Sequence, residues 1–550
     1  MKIFTFVFLF LFLFSMEGIK SQTNNYYIHG LPLKSGNSVL FGKDIIINND
    51  STQNQQLVAT CSAFNGWLYV AYTYYGTYLG DHYPFFVVMK STDNGITWTQ
   101  LISNMSPFPY PCTSLDIAVT GHDFSNLKLF LAFVPSASPG LNYGNLYIWQ
   151  YNEETGAYEE SLFEDHQYCG YVSLSTDFNF PATNSNPQSL GVLYSRNFAF
   201  GAGADSLIFK SSSNGGVSID GWKGVAKSVN HIHKVALTFG RSASYNAGRY
   251  FAAWEEKTNW TSNLGHIYTA HTEPYFNSSF TKPVKLDSID ATALGNAKNP
   301  TIACQYNNIN NDSSNLTEIV LFDKYIPSQN RYEIEGLCNK QATNSNHFTT
   351  FSLNLSNDSR QQPSISFNTF DSSFMVTYYD STTNKLPFIR HNFNMINADS
   401  WQIVNSGYND SSSLVAPYPK VALSMSQQKG ACVWSLEGDN GNGIAMFDAP
   451  YSDYTGIWEN NDINSSIVFH AFPNPCNTLL TLDFELLRPS QVTIIIYDLI
   501  GNPIGIITDK SYSKGRHLLN QNFSKFACGS YIIILKTEDL IETCKLLIVR

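Results

Sequence analysis

The segment Leu68-Tyr69-Val70-Ala71-Tyr72 is the first of seven short apolar runs, each of which ends in an aromatic residue. The other six runs lie at 129–133, 190–194, 250–254, 318–322, 374–378 and 430–434, and the aromatic residues are Tyr72, Phe133, Tyr194, Trp254, Phe322, Tyr378 and Trp434. These residues are spaced by 61, 61, 60, 68, 56 and 56 positions. A period near sixty residues is typical of a repeat architecture, in which each copy is one structural unit.

Each repeat contains further β-like runs around this segment. A shorter run precedes it in every copy, as in Val58-Ala59-Thr60, and its middle residue is always Ala or Ser, which suits close packing near a crowded axis. A third run follows in most copies, as at 85–90. Several strands per unit, repeated radially, predict a β-propeller. We expect seven blades, with six or eight as alternatives; a stack of separate sandwiches would not keep the same apolar segment at near-constant phase.

The last eighty residues form a different pattern. Short β-rich runs at 480–486, 491–497, 504–508, 531–536 and 544–549 are separated by Gly, Pro, Asn and Ser turn signals. Leu480, Leu482 and Phe484 alternate with polar residues, which indicates a strand with one buried and one wet face. This spacing predicts a small immunoglobulin-like β-sandwich. The whole chain is therefore expected to be all-β: a propeller followed by a sandwich.

The order of motifs in this tail resembles the type A C-terminal sorting domain of the Bacteroidota type IX secretion system. The residues that carry the resemblance are Pro473, Asn474, Pro475, Asp498, Gly501, Gly529, Tyr531 and Lys545. The resemblance implies that residues 466–550 engage the type IX secretion machinery and are then removed or anchored. An ordinary immunoglobulin-like adhesion module is the alternative.

The N-terminus fits export as well. Lys2 precedes a twelve-residue apolar run, and small or polar residues follow to position 21, so residues 1–21 are expected to be a secretory signal peptide. The propeller is expected over 27–456, with a polar linker at 457–465. No later stretch is apolar enough for a membrane span in the mature chain. We therefore expect a secreted or cell-surface protein that passes through the periplasm and the outer membrane.

Composition narrows the classes of partner. The formal net charge of −11 argues against nucleic-acid binding, which needs a basic surface. Nine cysteines occur without a CxxC motif, so neither a zinc site nor a redox motif is indicated, and their pairing stays open. No metal or other cofactor is expected.

One local motif resembles a family of propellers. Ser91, Asp93, Gly95 and Trp98 match the S-x-D-x-G-x-x-W pattern of the BNR repeat, or Asp-box, with weaker echoes at 152–158 and 211–218. The pattern is found in sialidases and other propellers, and its role there is structural. Sialidases also clamp a carboxylate with three arginines, the first of which lies in the first blade. Here no arginine precedes Arg196, so sialidase activity is not expected.

The channel mouth of the propeller holds the candidate ligand contacts. Asp116, His233, Lys234 and Lys420 lie at or just before the innermost strands of their blades. The acids Glu255, Glu256, Asp323 and Asp380 follow the aromatic positions, and we expect them to be solvated strand-end charges. Because no catalytic constellation emerges, the first hypothesis is binding of an extracellular polysaccharide or a surface protein. The alternative is a glycan-active enzyme, a glycosidase or lyase, with its site at the channel mouth.

Overall fold

A computed structural model gives the structure of the protein. It describes residues 45–48, 55–63, 66–78, 80–93, 95–105, 110–121, 126–138, 143–177, 189–197, 204–242, 245–259, 262–273, 277–287, 295–305, 316–340, 342, 347–353, 359–368, 373–383, 386–392, 402–405, 420–424, 429–437, 443–448, 469–472, 474, 476–486, 489–498, 503–537 and 541–549. The expected signal peptide and linker, and Pro473, Pro475 and Gly501, lie outside these residues. The chain divides into two compact units, Met1–Asp453 and Tyr454–Arg550.

The N-terminal unit consists of β-strands grouped by blade. Strand β1 is Ile45–Ile46, and the first blade is β2 (Gln56–Ser62), β3 (Leu68–Tyr78), β4 (Asp81–Ser91) and β5 (Thr99–Met105). The second and third blades comprise β6 (Cys112–Thr120), β7 (Lys128–Pro135), β8 (Gly144–Asn152), β9 (Tyr158–Thr176), β10 (Leu190–Arg196), β11 (Asp205–Ser212) and β12 (Lys223–Ser228). The fourth blade is β13 (His231–Ser242), β14 (Tyr245–Lys257), β15 (His266–His271) and β16 (Val284–Lys285).

Three further blades complete the unit. The fifth is β17 (Ala297–Cys304), β18 (Glu318–Ile326), β19 (Arg331–Asn339) and β20 (Thr349–Ser352). The sixth is β21 (Arg360–Asn368), β22 (Ser373–Asp380), β23 (Phe388–Asn392) and β24 (Gln402–Asn405). The seventh is β25 (Lys420–Ser424), β26 (Lys429–Glu437) and β27 (Gly443–Asp448), with β1 as its fourth strand.

Two connections join these blades into a ring. Strand β1 pairs antiparallel with β27, Ile45 opposite Phe447, so the first strand of the chain completes the last blade. Strand β9 serves two blades, because its first half pairs with β8 and its second half with β10. The seven aromatic residues of the repeat all lie on the second strand of their blades, and the six whose side chains are described are buried. The predicted all-β propeller is confirmed, with seven four-stranded blades in the described residues.

The innermost strands differ from the sequence alignment by two residues in four blades. Ala59 pairs with the residue just before its aromatic position, whereas Ala118 pairs with Phe130, three residues before Phe133. The residue that truly corresponds to Ala59 is therefore Asp116 in the second blade, and Lys420 in the seventh. A shift of two keeps every side chain on its own face of a strand, so alternation in the sequence does not reveal it.

The C-terminal unit is a two-sheet sandwich. Its strands are β28 (Phe469–Phe472), β29 (Leu479–Leu486), β30 (Ser490–Tyr497), β31 (Pro503–Tyr512), β32 (Gly515–Asn522), β33 (Gly529–Lys536) and β34 (Ile541–Ile548). The sheets have the orders β28-β29-β32 and β31-β30-β33-β34, and Leu482, Phe484 and Ile494 pack in the core between them. The sequence did not predict β28 or β32. Strand β32 is a polar edge strand with no buried residue, so it lacks the apolar alternation that marks a half-buried strand.

No helix among the described residues is long and apolar enough to cross a membrane.

Candidate functional site at the channel end

The inner strands of the first six blades enclose a central cavity of about 370 Å³. Its lining comes from β2, β6, the second half of β9, β13, β17 and β21. Of the four predicted contacts, Asp116 and Lys234 line this cavity. Lys420 begins the inner strand of the seventh blade, but its side chain lies outside the described part of the structure.

One end of the cavity is formed by irregular backbone. Where five of the inner strands begin, the pairing with the second strand shifts register, as it does in a β-bulge. Leu57, Lys234, Asn299 and Gln362 lie in these bulges with φ angles of 44°, 29°, 53° and 56°. A left-handed conformation costs a non-glycine residue about 1 kcal/mol or more, so the surrounding structure must hold these residues in place.

Polar side chains concentrate at these bulges. Tyr171, which sits at the corresponding irregularity of β9, lines the cavity with Lys234, Asn299 and Gln362. We call these four residues the polar rim. An aromatic ring, an ammonium group and two carboxamides together offer the stacking surface and the hydrogen-bonding groups that suit a polar ligand.

Two carboxylates fix the rim from behind. Glu255 and Asp323 directly follow the aromatic residues of the fourth and fifth blades. The backbone N–H of Asn299 donates to Glu255 Oε2 (3.4 Å), and that of Gln362 donates to Asp323 Oδ1 (2.7 Å). Each carboxylate therefore accepts a hydrogen bond from the backbone N–H of the bulge residue in the following blade. Asn299 also donates from Nδ2 to Asp323 Oδ2 (2.8 Å), so this one residue bridges both acids.

These two acids are buried, with exposed fractions of 1% for Glu255 and 0% for Asp323. Burial raises the pKa of Asp323 to about 7, the hydrogen bond from Asn299 and the charge of Lys298 oppose this rise, and the Glu255 charge adds to it. Burial also raises the pKa of Glu255, against the opposing charge of Lys257, whose Nζ lies 3.4 Å from its Oε1.

The expectation that these acids are solvated strand-end charges is wrong. Glu256 and Asp380, which were expected to be exposed as well, are only 6% and 5% exposed. Glu256 accepts hydrogen bonds from Ser228 Oγ (2.5 Å) and Trp254 Nε1 (2.9 Å). The reason is that the second strands end under cover of neighbouring strands, so each carboxylate finds donors in the protein instead of water.

His233 lies next to the rim residue Lys234, at the boundary of the third and fourth blades. His233 is buried, and its pKa falls to about 3 because of burial first and then the charges of Lys257, His231 and Lys234. Its ring centre lies 5.6 Å from that of Tyr171, and Lys234 Nζ lies 5.2 Å from the same Tyr171 ring. The histidine is therefore neutral at pH 7, and the lysine lies within cation–π range of the tyrosine.

Asp116 connects neighbouring blades. Its Oδ2 accepts hydrogen bonds from Ser173 Oγ (3.1 Å) and from the backbone N–H of Leu174 (2.8 Å) on the next inner strand. Ser173 Oγ in turn accepts from the N–H of Leu237 in the fourth blade (3.2 Å). Asp116 thus joins the second, third and fourth blades through Ser173.

Asn299, Gln362 and Tyr171 were not predicted as site residues. A signal for two of them was present, because Asn299-Pro300 and Gln362-Pro363 stand at the same place in successive repeats, and Pro419 precedes Lys420 likewise. These prolines are 63 and 56 residues apart, which is the period of the repeat. Proline within a strand is tolerated only at a sheet edge or a bulge, so its recurrence at this place indicates irregular pairing where the inner strands begin.

The turn at Ser91–Trp98 is held by its own side chains. Ser91 Oγ accepts from the N–H of Gly95 (2.8 Å), Asp93 Oδ1 accepts from the N–H of Thr97 (2.9 Å), and Trp98 Nε1 donates to the Gly95 carbonyl (3.0 Å). Gly95 has a φ of 84°, and a Cβ there would meet the Phe447 ring. The turn joins β4 to β5 at the end of the blade opposite the polar rim.

A second turn repeats this bonding one residue later than the sequence echo. Ser212 Oγ accepts from the N–H of Gly216 (2.9 Å), and Asn214 Oδ1 accepts from the N–H of Ser218 (2.9 Å). Gly216 has a φ of 85° and stands against the Phe130 ring. The echo was expected to begin at Ser211, and the turn begins at Ser212, so the expected position is wrong by one residue. The echo at 152–158 forms a different turn, in which the Asn152 carbonyl accepts from the N–H of Gly156 (2.9 Å).

Four of the described arginine side chains of the propeller serve local contacts. Arg241, Arg249 and Arg331 form ion pairs with Asp177, Glu273 and Glu333, and Arg360 donates to the Leu353 carbonyl. The Arg390 side chain lies outside the described residues. A carboxylate clamp of three arginines therefore finds no support among these side chains. Within the described residues, no group of three or more His, Cys, Asp and Glu side chains is placed to hold a metal ion.

In the C-terminal unit, the motif residues serve the fold. Asn474 Oδ1 accepts from the N–H of Leu547 (2.9 Å), and its Nδ2 donates to the Lys545 carbonyl (2.7 Å). Tyr531 is buried and donates to the Ala527 carbonyl (2.8 Å). Gly529 begins β33, where it pairs with Ile548, and Asp498 directly follows β30.

Comparison with solved structures finds propellers of low similarity. The α-L-arabinofuranosidase Arb93A from Fusarium graminearum is 10% identical, with 75% of this chain and 98% of that chain covered and a TM-score of 0.41. A protein of unknown function from Dyadobacter fermentans is 10% identical (75% and 98% covered, TM-score 0.40). The β-propeller domain of the Trilobed protease from Pyrococcus furiosus is 9% identical (73% and 96% covered, TM-score 0.37). Because all three TM-scores lie below 0.5, nothing about this chain is inferred from these likenesses.

Comparison of the sequence with protein families identifies the C-terminal residues. The chain has no significant match among curated proteins. Residues 470–550 match the family model for a secretion system C-terminal sorting domain. The C-terminal unit therefore carries a type IX sorting domain, which indicates that the protein is exported to the cell surface or secreted.

Proposed function

We propose that this protein is an extracellular binding protein, whose propeller binds a glycan at the polar rim. The observation that carries the proposal is that, at this end of the channel, polar side chains face the cavity while the acids Glu255 and Asp323 are bound by the protein. Tyr171, Lys234, Asn299 and Gln362 line the cavity, whereas Glu255 and Asp323 behind them are buried and hydrogen-bonded to backbone amides. The one acid in the described cavity lining, Asp116, accepts hydrogen bonds from Ser173 and Leu174. A rim that offers a ring, carboxamides and a cation, with these carboxylates bound by the protein, suits recognition better than bond cleavage.

A panel of immobilised polysaccharides tests this proposal. The purified full chain is passed over each polymer at pH 7, and both the retained protein and the released reducing sugars are measured. The proposal expects retention on at least one polymer without sugar release. Sugar release in proportion to enzyme and time would contradict it, as would the absence of retention across neutral, acidic and sulfated polymers.

A glycan-active enzyme is the second candidate, because one observation favours it. Burial raises the pKa of Asp323 to about 7, as suits a general acid. Asn299 donates hydrogen bonds to both Asp323 and Glu255, so a second carboxylate is close by, as a glycosidase requires. Its complete burial argues against contact with a substrate. If sugar release occurs, the Asp323→Asn variant decides: loss of release with retention preserved assigns the acid role, and unchanged release removes it.

The finer assignments are proposals too. We infer that both the turn at Ser91 and the turn at Ser212 are Asp-boxes and that the propeller is sialidase-like in architecture, since the two turns share φ and hydrogen bonds. Residues 1–21 are a signal peptide, residues 27–456 form the propeller, and residues 466–550 are the sorting domain. The host is a member of the Bacteroidota. Deletion of 466–550 should leave the protein in the periplasm, which cell fractionation measures.

A further inference from the structure

The larger sheet of the C-terminal unit carries apolar side chains on both of its faces. In β30, Val492, Ile494 and Ile496 point into the core, as expected, but Ile495 and the final residue, Tyr497, point outward. In β33 the same holds, because Ile533 is buried in the core while Ile532 and Ile534 lie on the outer face. An antiparallel sheet with one solvated face ordinarily carries polar residues there. Strands that are apolar on both faces are typical of a sheet covered on both sides.

The outward side chains form a connected patch. Ile495 lies opposite Ile506 on one side and opposite Ile534 on the other, so the three make a row across β31, β30 and β33. Tyr497 lies opposite Ile532 in the next row. Ile506 is 67% exposed, and none of the row belongs to the core between the sheets. We call Ile495, Ile506 and Ile534 the isoleucine row.

Polar residues surround this row. Thr493 Oγ1 donates to Asp509 Oδ1 (2.9 Å) on one flank, and the exposed residues Lys536 and Lys545 lie on strands β33 and β34. An apolar centre within a polar margin is the usual anatomy of a protein–protein interface. The outer face of the smaller sheet differs, since Thr481 bonds Asn520 there (2.7 Å). The exposed leucines Leu479 and Leu518 lie on the smaller sheet, so what distinguishes the larger sheet is a row of isoleucines that continues across three strands.

The edges of this sheet are unequal as well. Beside β34, Cys476 donates its N–H to the Leu547 carbonyl (2.7 Å) and accepts from the N–H of Val549 (2.8 Å), so the segment around Asn474 covers that edge. Strand β31 forms the opposite edge, and among the described residues no strand pairs with its outer side. The row thus continues to an edge where another chain can approach.

We propose that the isoleucine row is the surface by which the sorting domain docks on the secretion machinery, through an apolar surface of that machinery. A sorting domain must present a recognition surface, and the family match places that task on residues 470–550. The motif residues Asn474 and Tyr531 are used for internal hydrogen bonds, so they shape the domain instead of meeting the partner. The apolar face is what remains for contact, and its burial would supply the driving force for docking.

The test is export of the full chain from a host that has a type IX system. The triple variant Ile495→Thr, Ile506→Thr, Ile534→Thr keeps β-branched residues in the strands while making the face polar. The matched control is Leu479→Thr, Leu518→Thr, because these leucines are 64% and 61% exposed on the other sheet. We expect the triple variant to fall at least tenfold in the medium and on the surface and to accumulate in the periplasm, with the control exported as the wild type.

Export of the triple variant at the wild-type level would overturn the proposal, and so would an equal loss in the control. If the triple variant is degraded, the single change Ile506→Asp decides in the same way, because a side chain exposed to this degree tolerates it. A wild type that sediments as a dimer, with a monomeric triple variant that is still exported, would assign the row to self-association and reject docking. The proposal rests on the sorting-domain match and not on glycan binding, so the polysaccharide panel is independent of it. Loss of export on deletion of 466–550, together with normal export of the triple variant, would reject the isoleucine row as the docking surface and keep the sorting assignment.

Discussion

The Asp323→Asn substitution is expected to remove a pH-dependent part of the propeller's stability. Asp323 is fully buried, and burial raises its pKa from the ordinary value of 3.8 to about 7. Between these values the folded chain keeps the proton while the unfolded chain has lost it. Since the folded state then binds more protons, the stability that Asp323 supplies is fully present below pH 3.8 and is lost as the pH rises through 7.

The size of this effect follows from the two pKa values. At about 1.4 kcal/mol per pKa unit, the difference corresponds to about 4 kcal/mol. A domain of about 400 residues unfolds with an entropy of roughly 0.8 kcal/mol per kelvin, so 4 kcal/mol corresponds to about 5 °C in melting temperature. The carboxamide of the variant is neutral at every pH, and its oxygen can still accept from the N–H of Gln362.

The assay is differential scanning calorimetry of the full chain at pH 4 and pH 8. Relative to the Asp323→Asn variant, the propeller transition of the wild type should lose about 5 °C over this range. The exposed residue Asp220 supplies the control, since Asp220→Asn should shift with pH as the wild type does. An identical pH dependence in the wild type and the Asp323→Asn variant would refute the assignment of the raised pKa to this carboxyl.

Three other predictions concern stability. Gly95→Ala should lower the propeller's melting temperature by a few degrees, because a Cβ would meet the Phe447 ring at a φ of 84°; Gly156→Ala, where no atom lies within 4 Å, should cost less, and equal costs would contradict the contact. Asn474→Ala should speed hydrogen exchange at the N–H of Leu547 by about tenfold or more, since two hydrogen bonds to β34 are lost, whereas the exposed Asn520→Ala should leave that amide unchanged. His233→Gln should reduce the stability loss on acidification from pH 7 to pH 4, because a histidine whose folded pKa is about 3 stays neutral in the fold while the unfolded chain takes up a proton; an unchanged acid limb in thermal melts would count against it.

The seven-bladed ring was accessible from the sequence because its strongest signal is local. The aromatic residue of each repeat lies on the second strand of a blade and recurs at nearly constant spacing, and the six whose side chains are described are buried. The inner strands were harder to align. Ala118 and Asp116 lie on the same face of β6, so only the pairing with β7 reveals which of them corresponds to Ala59.

The site was only partly accessible from the sequence. Lys234 was found because it immediately precedes an apolar run, but the left-handed bulge that positions it depends on pairing across the blade. Glu255 and Asp323 look like strand-end charges because nothing nearby in the sequence indicates cover. Their burial comes from residues 40 or so positions away, as in the hydrogen bond between Asp323 and Gln362, and such contacts are decided by how blades pack.

For the sorting domain, too, the sequence revealed which residues matter but not what they contact. Its motif residues could be identified by resemblance, but their role in holding β34 required the structure. The outward isoleucines, by contrast, are easily found in the sequence, within the runs Ile494-Ile495-Ile496 and Ile532-Ile533-Ile534. Only the sheet pairing shows that the middle residue of one run and the outer residues of the other share a face with Ile506.

Glycan binding at the polar rim is tested most directly by the affinity of the rim variant Lys234→Ala, Gln362→Ala for an oligosaccharide from a polymer that the wild type retains. Titration calorimetry should show at least tenfold weaker binding for this variant, because it loses the ammonium group and one carboxamide of the rim. Lys227→Ala, on the exposed outer strand of the third blade, should bind as the wild type does. Equal affinity of the rim variant and the wild type would contradict a binding site at this end of the channel.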